Sequence, residues 1–131
     1  LKRKKNIRLI DSKNYSLNQY CHGIHLTSEN LKNLDIKSLS NSYLYAGSCH
    51  NISEIKICNN YNLNFIVISP ILSTNKKIGF GWEHFKNLAK YSNCPVYALG
   101  GLNYERDIDN VIINGGSGVA GISYYYNLFN S

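Results

Sequence analysis

The stretch Tyr43–Ile55, YLYAGSCHNISEI, decides how the rest of the chain is read. An apolar, aromatic-rich run ends abruptly in Gly47, Ser48, Cys49 and His50. A helix start follows at once, with Asn51 as N-cap and Glu54 at capping-box spacing. The stretch predicts a buried strand feeding a helix, with a hydroxyl, a thiol and an imidazole at the joint.

The same alternation continues in both directions. Strands are expected at Ile7–Ile10, Gly23–Leu26, Ser42–Ser48, Phe65–Pro70, Pro95–Gly100 and Gly118–Ser123. Most are continuous apolar runs, the pattern of strands buried on both faces of a parallel sheet. The segments between them have helical period. GWEHFKNLAKY puts Trp82, Phe85, Leu88 and Ala89 on one face. NYERDIDNVIING repeats this with Ile108, Val111 and Ile112, an acidic first half and Gly115 as a stop. SENLKNL is a shorter helix. Strand and helix in alternation imply an α/β fold with right-handed crossovers.

Composition bounds the function. At 131 residues one domain is expected, spanning 1–131. Hydrophobic content of 44% and charged content of 17% suit a globular chain. Runs such as FIVISPIL are too short for a membrane span, and LKRKKNIRL lacks the apolar core of a secretory signal, so a cytoplasmic location is expected. Much of the net charge of +6 sits at Lys2, Arg3, Lys4 and Lys5. With no aromatic interleaving it reads as a solvated face rather than a nucleic-acid patch; a surplus of cations also suits phosphorylated small molecules. Cys21, Cys49, Cys58 and Cys94 lack metal-ligand spacing and read as reduced thiols, mostly packing. The chain starts at Leu1 and contains no methionine, so a segment of a longer polypeptide is expected.

In an α/β fold the chemistry gathers at the carboxyl ends of the strands. Here those ends are Asp11, Thr27 with Ser28, Ser48 with His50, Ser69 through Thr74 and Lys76, Gly100 with Gly101, and Ser123. ALGGLNYERD sets two glycines between a strand and a helix, where backbone N–H groups can approach an anion. GVAGIS brings Ser123 to the same end, as a second part of a phosphate cradle. The SPILSTNKKIGFGW loop adds Thr74, Asn75, Lys76 and Lys77, a set that suits an anionic ligand and a lid.

The ordered motifs GIHLTSENL, AGSCHNISEI, FIVISPILSTNKK, PVYALGGLN and GGSGVAGIS resemble the thiamine phosphate synthase/TenI family. The wording is most similar to the domain fused behind a Nudix hydrolase in some proteobacteria. The resemblance implies a (β/α)8 barrel, here incomplete and lacking about the first two strands, with strands three to eight present. The synthases' pyrimidine-pyrophosphate motif has no counterpart. Of their Asn-Asp pair at the third strand end, LIDSKN keeps one acid, Asp11, the sole metal candidate. Where HLGQED ends in a magnesium-binding Asp, HLTSEN has Asn30, a poorer ligand. The thiazole-phosphate side is better kept: Thr74 and Lys76 match the Pro-Thr-x-Thr-Lys loop with one residue missing, Gly100 and Gly101 the Gly-Gly-Ile turn, and Ile122 and Ser123 the final phosphate-binding strand. Ser48 and His50 resemble the TenI branch's Gly-x-Ser-x-His, one residue tighter, in which the histidine moves a proton on a carboxythiazole phosphate.

Three functions follow as expectations. One is a TenI-like domain that binds a thiazole phosphate and tautomerises it through His50. Another is thiamine phosphate synthase, coupling hydroxymethylpyrimidine diphosphate to thiazole phosphate with Mg2+, once residues before Leu1 complete the barrel. The third is a non-catalytic, regulatory ligand-binding domain of a Nudix fusion. No cofactor is expected otherwise, nor a nucleic-acid or membrane partner. An unrelated flavodoxin-like sheet would share the alternation, and an incomplete barrel would leave open edges that a homo-oligomer can cover.

Overall fold

A computed structural model describes residues 10–11, 21–35, 37 and 39–131, with the side chain of Asp11 outside the described set. The elements alternate: β1 (Ile10–Asp11), β2 (Gly23–Leu26), α1 (Ser28–Lys32), β3 (Leu44–Cys49), α2 (Ile52–Asn60), β4 (Phe65–Ile68), α3 (Gly81–Ala89), β5 (Val96–Ala98), α4 (Tyr104–Ile113), β6 (Gly118–Val119) and α5 (Ser123–Asn130).

All six strands form one parallel sheet in the order β1-β2-β3-β4-β5-β6. A doubly wound sheet reverses its strand order at a switch point. This one never does, so each crossover steps the same way, as in a barrel. The flavodoxin-like alternative is excluded by that order.

Strand alternation sorts the side chains. Ile24, Leu26, Cys49, Ile66, Ile68, Val96 and Ala98 pack with Leu31, Ile55, Cys58, Phe85, Leu88 and Val111 in the buried core between sheet and helices. Gly47 shares that face: a Cβ there would lie 2.6 Å from the Cys58 sulfur. His25, Ser48, Phe65 and Tyr97 take the alternate positions and are half-buried, with the Phe65 and Tyr97 rings edge-to-face at 5.3 Å. The expectation of strands buried on both faces holds for Ala46 and Val67, which are buried on the alternate face as well. The helix side is sealed, and the other face is only partly covered among the described residues.

Predicted and observed elements differ in informative places. Gly23–Leu26 matches; Ser42–Ser48 shifts to Leu44–Cys49, and the other runs shorten because their ends turn into the loops that carry the candidate groups. Of Ile7–Ile10 only Ile10 lies among the described residues, at the start of β1. Ser123 is not a strand end: it begins α5, a helix the sequence did not announce. In α3, Phe85, Leu88 and Ala89 are buried and Trp82 packs against the core as expected. In α4, Val111 is buried but Ile112 is 54% exposed, and the second buried position is Asp107. Gly115 closes that helix with φ 92°.

Candidate functional site

The loop between β5 and α4 is organised by its carbonyls. Ile71 N–H donates to Leu99 O and Leu72 N–H to Gly100 O, each at 3.0 Å. The Arg106 guanidinium donates to Gly101 O at 2.9 Å. In a planar trans peptide the C=O and the next N–H point in opposite directions. Each of the three carbonyls is tied to a protein donor, so the N–H groups of Gly100, Gly101 and Leu102 each point away from that donor. None of these three donates to a described residue. Two successive left-handed glycines, φ 123° and 66°, make the turn possible. At Gly100 space demands glycine as well, since a Cβ would sit 2.6 Å from Ile71 N.

These residues line a cavity of about 370 Å3 with Thr74, Leu99, Gly121, Ile122, Ser123 and Tyr124. The opposite wall is the start of α5. Its N-cap, Ile122, supplies no capping side chain. The helices α1, α2 and α4 are capped by Thr27, Asn51 and Asn103. The first turn of α5, whose Ile122, Ser123 and Tyr124 line the cavity, thus has no side-chain cap, as is also true of α3 at Phe80, and a helix N-terminus favours negative charge. Thr74 sits in a tight turn, donating its N–H to Lys77 O at 2.8 Å while its Oγ1 accepts from Lys76 and Lys77 N–H at 3.3 and 3.2 Å. Its hydroxyl proton is left to point elsewhere. The arrangement is a concave nest of donors suited to a phosphate.

Five of the sequence-predicted residues meet here: Thr74, Gly100, Gly101, Ile122 and Ser123. Lys76 does not line the cavity; it is exposed on the neighbouring turn. His50 lies against a different groove, between the start of α2 and α3, with His84 and Leu88. Its Nδ1 is 2.8 Å from Ser69 O. A carbonyl only accepts, so Nδ1 carries the proton and a neutral ring presents a lone pair on Nε2. Glu54, buried in α2, accepts the His50 N–H at 2.6 Å rather than the Asn51 N–H a capping box would use, while Asn51 accepts from Glu54 N–H at 3.0 Å. The expected box is thereby corrected to a cap plus a brace one residue upstream.

Ser48 has a partner that sequence reasoning missed. Its Oγ is 2.6 Å from His25 Nε2, across 23 residues. Burial lowers the His25 pKa from its ordinary value, which favours the neutral ring. The only available signal was a histidine inside the apolar run GIHL. Cys49 is buried, its sulfur 3.6 Å from that of Cys58, and that neighbour together with burial holds its thiol protonated.

Of the two magnesium positions implied by the resemblance, only that of Asn30 has a described side chain, and it is an amide rather than a carboxylate. The Asn30 amide oxygen accepts from Thr27 N–H at 3.2 Å and from Thr27 Oγ1 at 2.9 Å, so it is spent on capping α1. Among the described residues no group of three or more His, Cys, Asp or Glu is placed to hold a metal. The Asp11 side chain lies outside the described residues.

A singly wound parallel sheet with alternating helices, its strands in sequence order, defines a protein of the (β/α)8-barrel class. A family model described as thiamine monophosphate synthase matches residues 2–124, and the chain belongs to that family. It is 30% identical over 104 residues to the thiamine-phosphate synthase of Methanococcus maripaludis, covering 77% of this chain and 50% of that protein. It is 32% identical to the Methanococcus vannielii enzyme of the same name over the same shares. The fold is similar to that of thiamine phosphate pyrophosphorylase from Pyrococcus furiosus, with TM-score 0.71, 17% identity, and 92% of this chain and 59% of that one covered. FabK of Thermotoga maritima shares the fold at TM-score 0.65 and 14% identity, over 82% of this chain and 35% of that one. The chain spans about half the length of the curated relatives it matches. No described helix is long and apolar enough to cross a membrane.

Proposed function

We propose that the chain is a TenI-like domain of thiamin biosynthesis that binds a thiazole phosphate, seating the phosphate on the Gly100–Leu102 amides and the start of α5. The observation that carries this is the set of three consecutive N–H groups left open by carbonyls tied back to Ile71, Leu72 and Arg106. Ser123 and Thr74 hydroxyls add donors, and Lys76 adds charge at the rim as the ligand approaches. His50 is the proton-transfer residue of this reading, which requires the ring of a ligand seated at the nest to extend to the separate groove where His50 lies; with Nδ1–H on Ser69 O, Nε2 takes a proton from the carboxythiazole ring and returns it at the tautomeric position. Calorimetry with thiazole phosphate tests binding, and isomerisation of the carboxythiazole phosphate tests turnover. His50→Ala is expected to lower the rate by roughly 10²–10⁴-fold. An unchanged rate overturns the role of His50, and absence of binding by the wild type overturns the site.

The relatives' names favour a second reading, a thiamine phosphate synthase half completed by further residues. Those residues would have to bring metal ligands, because Asn30 is committed to Thr27. Coupling of hydroxymethylpyrimidine diphosphate to thiazole phosphate by a longer chain supports it, and failure to couple rules it out. Thiazole phosphate binding without either turnover is the result expected of a regulatory domain, such as one attached to a Nudix hydrolase.

A further inference from the structure

We propose that Arg106 is a positioning residue of this site: braced on Asp107, it grips the Gly101 carbonyl and so aims the Leu102 N–H into the cavity. The inference rests on the phosphate reading of that cavity. Arg106 itself does not line the cavity. Its guanidinium is engaged from the outside through Nε and Nη2. Nη2 contacts Asp107 Oδ2 at 2.6 Å and Gly101 O at 2.9 Å, and Nε lies 3.0 Å from both Asp107 oxygens. A forked pairing of this kind fixes direction as well as distance. Asp107 is buried, and its Oδ2 also accepts the Asn103 N–H at 2.8 Å. One carboxylate therefore locks the cap residue of α4 and, through Arg106, the last of the three turned carbonyls. Leu99 O and Gly100 O are held by backbone donors. Gly101 O alone depends on a side chain, and Gly101 has the freedom of a left-handed glycine. Without the guanidinium that peptide is free to flip and withdraw the third donor.

The alternative is that Arg106 acts on an anion only through its charge. The two accounts predict opposite signs for Asp107→Asn. That change raises the net charge by one, so a field effect strengthens phosphate binding, whereas loosening the brace weakens it. Calorimetry of the full chain with thiazole phosphate and with the unphosphorylated thiazole alcohol is the measurement. Arg106→Ala and Asp107→Asn are both expected to bind the phosphate ester on the order of tenfold more weakly, with affinity for the alcohol unchanged. A purely structural role would reduce both affinities together. Titration of inorganic phosphate into 15N-labelled protein gives a second readout that does not need Asp107→Asn to fold: in Arg106→Ala the Leu102 amide is expected to lose its response while the Ser123 amide keeps it. Tighter binding by Asp107→Asn, or an undiminished Leu102 response in Arg106→Ala, overturns the inference alone. A wild type that binds neither phosphate ester nor phosphate overturns the site reading and this inference with it.

Discussion

At the scale of single residues, Gly100 is the position where conformation and space agree most strongly. Its φ of 123° suits only glycine, and an added Cβ would meet the Ile71 nitrogen and the Pro70 Cα. Gly100→Ala is expected to destabilise the fold by at least roughly 1–3 kcal/mol and to abolish thiazole-phosphate binding; denaturation and calorimetry read the two effects separately. His25 gives a pH prediction. Its folded pKa is depressed by burial, so the unfolded chain binds the extra proton first. The stability it supports is complete above the unfolded value of about 6.5 and is lost as pH falls toward the folded value. His25→Gln should flatten the decline in urea-unfolding free energy just below that pH; a decline that persists unchanged excludes His25 as its source. Asp107 has the same sign in a lower window, since the Arg106 hydrogen bond depresses its pKa and its contribution fades only below the ordinary carboxylate range. The two glycines were legible in the sequence because residue type and place together imply a turn. The His25–Ser48 contact was not, because it is made across two strands by register, which residue types alone do not fix.

At the scale of elements, strand-to-helix joints with a capping residue were legible, whereas the uncapped β6–α5 joint and the surfaces were not. The YLYAGSCHNISEI stretch gives a strand, a cap and a helix as expected, since each step has a local cause. α5 was missed because SYYYNLFN combines weak helix formers with no capping residue, and the uncapped first turn is the part of it that lines the cavity. Ile112 was assigned to the core by period, but the buried Asp107 takes a place on the inner side of α4 through its Arg106 and Asn103 bonds. The β3–α2 contact makes its own prediction. Gly47 lets the strand approach α2 so closely that a Cβ would stand 2.6 Å from the Cys58 sulfur and 3.2 Å from Leu63. Cys58 cannot withdraw, because it is fully buried against Cys49. Gly47→Ala should cost about 1–3 kcal/mol by overpacking. Combined with Cys58→Ala it should cost less than the sum of the two single changes, by about 0.5–3 kcal/mol. Strict additivity in chemical denaturation would show that the helix simply moves away.

At the scale of the whole molecule, the barrel-type winding was legible because strand–helix alternation leaves few topologies, and the motif order chose among them. What composition could not announce is how unevenly the surface is covered. Among the described residues β6 pairs only with β5 and β1 only with β2, so the sheet has two edges. Beside the β6 edge, α5 buries no residue and exposes Tyr126, Leu128 and Phe129, while Ile112 and Ile113 of α4 are exposed as well. An open parallel edge next to an apolar helix face is a template for association. The 131-residue chain on its own should therefore self-associate, its weight-average mass rising with concentration in sedimentation equilibrium. Tyr126→Glu with Leu128→Glu places charge on that face without touching the core, since these side chains are 65% and 54% exposed. The double variant should remain monomeric at concentrations where the parent associates, with its Tm nearly unchanged and its thiazole-phosphate affinity kept. Equal association by parent and variant would move the contact off α5 and onto the strand edges, and a parent that stays monomeric throughout would mean that neither edge is open to a second copy.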